Sequence, residues 1–80
     1  MTVSDDEIAQ ALMDLAYRRG QKKTFCPSEV ARGLSEDWRP LMDEVRRVAA
    51  SLPLQATQKG KPVDPVRAKG AIRLGLGRLN

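Results

Sequence analysis

From Lys59 to Arg73 the chain places Lys59, Lys61, Arg67, Lys69 and Arg73 against a single acid, Asp64. Lysine and arginine stay protonated at neutral pH, and a cluster of them on one surface attracts phosphate, arginine with the added geometry of paired N–H donors. A second set of cations, Arg39, Arg46 and Arg47, is spaced with Asp43 at separations of three and four residues. On a helix such residues share a broad outward sector. Arginine so presented can grip phosphate or the edge of guanine. Other chemistries lack their parts. There is no histidine, which removes the commonest general base near neutral pH and the commonest metal ligand. Cys26 is the single cysteine, so neither an intramolecular disulfide nor a thiolate zinc cluster can form. Its place just before a helix start can lower a thiol pKa. With no histidine to activate it, it reads instead as a small buried core residue. The acid pairs Glu36–Asp37 and Asp43–Glu44 are adjacent in sequence and point in different helical directions, which suits no acid–base couple. Gly60, Gly70, Gly75 and Gly77 lack the spacing of a phosphate-binding loop and read as turn residues. Binding is therefore the expected work: no catalytic residue, no cofactor and no metal.

The 80 residues hold 14 Lys and Arg against 10 Asp and Glu, a net charge of +4. That total averages unlike parts. Met1 to Ala16 carries four acids and no base, whereas the last 35 residues set eight bases against Asp64 alone, a net +7 that leaves −3 for the other 45. Such asymmetry gives a folded domain a directional field that draws polyanions to one end, if the side chains share a face. Surface charge also keeps small domains soluble, so charge alone decides little. A chain of this length buries about 60% of the surface its unfolded form exposes, enough for one core without a deep substrate cavity. At 41% hydrophobic and 30% charged residues it has ordinary globular usage,. Asp5, Asp6 and Glu7 follow Met1 almost at once, and no apolar run nears the ~18 residues of a membrane helix,. A cytoplasmic protein is expected, formed as one domain over residues 1–80, and a lone cysteine agrees with a reducing compartment.

The elements that must position the cations follow from period and punctuation. Ser4 with Glu7 makes a capping box, Ile8, Leu12, Leu15 and Ala16 form an apolar stripe, and Gly20 is a stop, so a helix is expected over Asp5–Arg19. Thr24, Phe25 and Cys26 read as a short extended segment. Pro27 to Leu34 reads as a short helix burying Val30, Ala31 and Leu34, with Gly33 keeping it short or admitting another helix closely. A third helix, capped by Ser35 or Asp37 and holding Pro40 in its first turn, carries the stripe Leu41, Val45, Val48, Ala49 and Leu52 and closes at Pro53. Leu54 to Lys59 alternates as a strand entering a turn at Gly60. Lys61 to Gly70 reads as a loop, and Ile72 to Leu76 as a strand pairing back antiparallel. Residues 75–80 are expected to fray.

Three helices, a short strand after the first and a terminal hairpin with a basic loop are the layout of a winged helix, mainly α in an α+β class. In helix-turn-helix proteins the helix after the turn faces the DNA major groove. The candidate nucleic-acid contacts are thus Arg39, Arg46 and Arg47 on that helix and Lys59, Lys61, Arg67, Lys69 and Arg73 on the hairpin. Trp38 reads as an anchor beneath the short helix rather than a base-stacking surface. Two functions stay open. One is a duplex-DNA-binding, transcription-associated regulator. The other, favoured by Asp43 and Glu44 on the would-be recognition face, is a module that docks an acidic protein partner or self-associates. Neither involves a membrane.

Several fragments also carry a family likeness: Cys26-Pro27-Ser28-Glu29-Val30-Ala31-Arg32, Asp37-Trp38-Arg39-Pro40-Leu41-Met42, Val45-Arg46, Thr57-Gln58-Lys59-Gly60 and Lys69-Gly70-Ala71-Ile72-Arg73-Leu74. In this order and spacing the chain resembles a small bacterial family known as domain of unknown function 3253. The resemblance implies a winged-helix fold and brings no established activity, ligand or catalytic residue.

Overall fold

The computed structural model describes residues 3–76. Helix α1 (Asp5–Arg19) occupies the expected span. Ser4 Oγ accepts the Glu7 N–H at 3.1 Å, and the Glu7 carboxylate accepts the Ser4 N–H at 3.5 Å, so two amide donors at the helix start find acceptors. At the other end Gly20 has φ 79° and donates its N–H to the Ala16 carbonyl at 3.0 Å. Ile8, Leu12 and Ala16 are buried along one stripe.

Helix α2 (Pro27–Leu34) begins on proline, whose missing N–H costs nothing at a first helical position,. The Glu29 carboxylate accepts the Cys26 N–H at 2.8 Å. Val30 and Ala31 are buried, whereas Leu34 is only half-buried. Cys26 is half-buried too, not enclosed in the core as expected, and its Sγ accepts the Ser28 hydroxyl at 3.1 Å. Gly33 admits no neighbouring helix: a Cβ there would meet nothing within 4 Å.

The third helix starts later than its sequence suggests. Ser35 Oγ accepts the Asp37 N–H at 3.2 Å in a local turn, and neither residue caps a helix. Pro40 has no N–H and crowds the backbone of Arg39, so the chain passes it in a 3₁₀ turn (Arg39–Leu41) before α3 (Met42–Ala50) becomes regular,. Ser51 Oγ then donates to the Val48 carbonyl at 2.8 Å in the turn that precedes Pro53.

Three antiparallel strands follow, β1 (Gln55–Gln58), β2 (Lys61–Pro62) and β3 (Arg73–Gly75), in the order β2-β1-β3. The expected return strand pairs Ala56 with Leu74 and Thr57 with Arg73. Lys61 and Pro62, expected in a loop, instead pair with Gln58 and Thr57. The reason is the turn: Lys59 at φ 53° and Gly60 at φ 81° give the two positive angles whose twist suits a tight hairpin,. Pro62 is tolerated because β2 is an edge strand. The extended segment after α1 shrinks to one bridge, in which Phe25 and Leu74 exchange backbone hydrogen bonds of 2.8 and 2.7 Å. Gly75, expected to fray, is a buried strand residue that the backbone of Lys23 and Thr24 approaches closely. Leu76, expected to fray as well, is half-buried against the core, and residues 77–80 of that expected tail lie outside the described residues.

The result is three helices and a small antiparallel sheet, α+β and mainly α, in a winged-helix-like layout. Ile8, Leu12, Phe25, Val45, Ile72 and Leu74 form the fully buried centre where α1, α3 and β3 meet, and among the described residues no polar side chain is buried with them. No described helix is long and apolar enough to cross a membrane.

Candidate nucleic-acid interface

The wing comprises the β1–β2 turn at Lys59-Gly60, strand β2 and the connection from β2 to β3, and the shape of that connection is set by side chains bonding to its backbone. Asp64 Oδ1 accepts the N–H of Val66 at 2.8 Å and of Arg67 at 3.4 Å, while the Asp64 carbonyl accepts the Ala68 N–H at 2.9 Å. Four successive carbonyls come next. From α3, Arg46 donates Nη1 to Ala68 at 2.7 Å and Nη2 to Gly70 at 2.5 Å. From β1, Gln58 donates Nε2 to Lys69 at 2.5 Å and to Ala71 at 3.2 Å. Every carbonyl from Ala68 to Ala71 thus accepts from one of two side chains, which ties a proline-bearing, glycine-bearing loop to the helix and sheet behind it. Arg67 and Lys69 are exposed on this tied loop, and Lys59 and Lys61 are exposed at the β1–β2 turn that precedes it in the chain. Among the described residues, none of the four side chains enters an ion pair or hydrogen bond.

The arginines of the expected recognition helix part company. Arg46 is half-buried and its guanidinium is turned onto the wing carbonyls. Arg47 reaches the start of α1, where Nη2 and Nη1 meet the Asp5 carboxylate at 2.8 and 3.1 Å. That hydrogen-bonded guanidinium holds the Asp5 carboxyl below the usual carboxylate range. Arg39 lies over the half-buried Trp38 ring at 4.8 Å from its centroid, and Arg32 of α2 lies over the same ring at 4.5 Å, a cation–π arrangement. Arg73 spends Nε and Nη2 on the Thr24 hydroxyl and carbonyl, at 2.9 and 2.8 Å. Helical spacing places Arg39, Arg46 and Arg47 near one sector, yet their charged ends go to three different destinations. Asp43 and Glu44 remain exposed on α3.

Residues 5–77 match the model of a family described as Protein of unknown function (DUF3253). The chain belongs to that family. No curated protein matches it. The match opens on the first residue of α1 and runs past β3, so the helices and the wing together are the DUF3253 unit.

Three features of this DUF3253 chain escape a reading of sequence alone. Gln58 carries no charge and sits in a strand, so nothing local marks it as a tie to the wing. Arg32 lies in the last turn of α2 and is separated from Arg39 by six intervening residues, so only the fold shows that they share the Trp38 ring. Glu29 accepts the Cys26 N–H and pairs with Arg19 Nη2 at 2.7 Å, and the Cys26 amide is the largest of the causes that depress its pKa, ahead of Arg19 and the charge of Arg73. Between α1 and α2 a shallow groove of about 240 Å³ is floored by Leu15, Val30 and Leu34 and edged by Asp14 and Arg18. It lies away from the wing cations, and among the described residues no group of three metal-ligating side chains accompanies either place.

Proposed function

We propose that this protein binds duplex DNA, with its wing on the phosphate backbone and α3 alongside. One observation carries the reading: the loop holding Arg67 and Lys69 is tied down at four consecutive carbonyls, Lys59 and Lys61 flank the paired hairpin turn that leads into it, and the ammonium and guanidinium groups of all four have no partner among the described residues. Cations on an ordered loop meet a phosphate row without the entropic cost of ordering the loop first. Asp64 is the single acid among these four cations. The reading assigns the protein binding and no catalysis.

If four phosphates are neutralised, log affinity falls with log salt at a slope of about −3.6. Fluorescence anisotropy with a labelled duplex across a salt series measures it. Absence of binding at low salt, or an affinity independent of salt, overturns the reading. Exposed Asp43 and Glu44 on α3 favour a second one, in which the same fold docks a protein or another copy of itself. Sedimentation showing a monomer at high concentration counts against self-association.

A further inference from the structure

We infer that the tip of the wing, Lys59-Gly60-Lys61, leads the contact with DNA and that the binding does not discriminate sequence; this rests on the duplex-binding reading above. Lys59 is the one non-glycine residue with positive φ among the described residues, at 53°. A side chain there is strained, and tight hairpin turns of this kind favour Asn, Asp or Gly at that position. The chain nonetheless places a lysine there, and follows it with Gly60, around which a Cβ would find open space. The tip is therefore open to solvent, with an exposed cation on each side of the glycine. A strained residue with no packing role is accounted for by what its ammonium meets outside the molecule.

The fold also leaves α3 no free cation with which to read bases. Reading a base pair needs a donor or acceptor free to enter the major groove. On the outward side of α3 and its leading turn, the Arg39 guanidinium lies on Trp38 and that of Arg47 is held by Asp5, and the two remaining charged residues, Asp43 and Glu44, are acceptors that the phosphate rows flanking a groove repel from entering it. What α3 and the wing leave free is the set of wing lysines and Arg67, whose contacts to phosphate carry no base code.

The variant Lys59→Asn separates strain from contact, because Asn accepts the left-handed backbone and lacks the charge. Its melting temperature is expected to equal or exceed that of the wild type. Its affinity for duplex DNA at about 0.1 M salt falls about eightfold, and its salt slope becomes shallower by about 0.9. Duplexes of equal length and different sequence should bind the wild type within about fivefold of one another, the smallest cost of one mismatched base pair for a specific binder. Unchanged affinity and slope in Lys59→Asn, a lowered melting temperature, or a wider preference among duplexes overturns this inference while leaving duplex binding standing. A wild type that binds no duplex overturns both.

Discussion

Arg46→Met tests whether Arg46 positions the wing or touches a ligand itself. Methionine keeps much of the apolar stem against α3 and deletes the two donors that hold Ala68 and Gly70. Hydrogen bonds from a charged group are worth about 1.5–3 kcal/mol each in a protected setting. Here the bond to Ala68 is part-buried and the bond to Gly70 is exposed, so solvent competes for both and the pair is worth about 2 kcal/mol in all. For a domain of this size that is a fall in Tm of about 8–16 °C. Circular dichroism melts measure it. Arg46→Lys retains the charge but cannot span two carbonyls, and recovers less than half of the loss. Under conditions where the variant is folded, its slope of log affinity against log salt stays near the wild-type value, because no phosphate contact has been removed. An unchanged Tm in both variants, with a slope shallower by about 0.9 in Arg46→Met alone, refutes the positioning role and makes Arg46 a phosphate ligand.

Two further outcomes follow from local geometry. Gly33→Ala adds a methyl group inside α2 where nothing lies within 4 Å and the backbone is helical, so it stabilises the fold by about 0.5 kcal/mol and raises Tm by about 2–4 °C in the same melts; a lower Tm contradicts the open space seen there. Asp5 and Glu29 both have carboxyl pKa values lowered in the folded state, Asp5 chiefly by the Arg47 hydrogen bond and Glu29 chiefly by the Cys26 N–H. The stability they add is present above the ordinary carboxylate range and is lost as pH falls through their folded values. Tm should therefore hold from pH 7 to about 5 and decline below it, with a smaller decline in Glu29→Gln; a flat Tm down to about pH 3 contradicts both assignments.

The fold was legible wherever its cause is local. Ser4, Glu7 and Gly20 delimit α1 through hydrogen bonds within four residues, and Pro27 marks the start of α2 by what it cannot donate. The start of α3 was not, because Pro40 shifts the backbone into a 3₁₀ turn whose effect on the cap depends on geometry beyond residue type. Strand β2 escaped because Lys61-Pro62 is polar and contains proline, and only its register with Gln58 and Thr57 makes it a strand. The site divides in the same way. Charge composition pointed to the exposed wing cations, which the structure leaves without partners among the described residues. It could not show that Arg46 bonds 22 and 24 residues away, Arg47 42 residues away and Arg73 49 residues away. Helical spacing gives the direction in which a side chain leaves its helix, but the partner that captures its far end is set by tertiary packing.

Titration of the isotope-labelled protein with a short duplex, followed by amide chemical shifts, shows which surface meets DNA. If it is the wing cations, the largest shifts fall at Lys59, Gly60, Lys61, Arg67 and Lys69, with Ala11, Leu15 and Val30 beside the α1–α2 groove unmoved. Shifts concentrated at that groove, or along α3 with the wing silent, would contradict that contact.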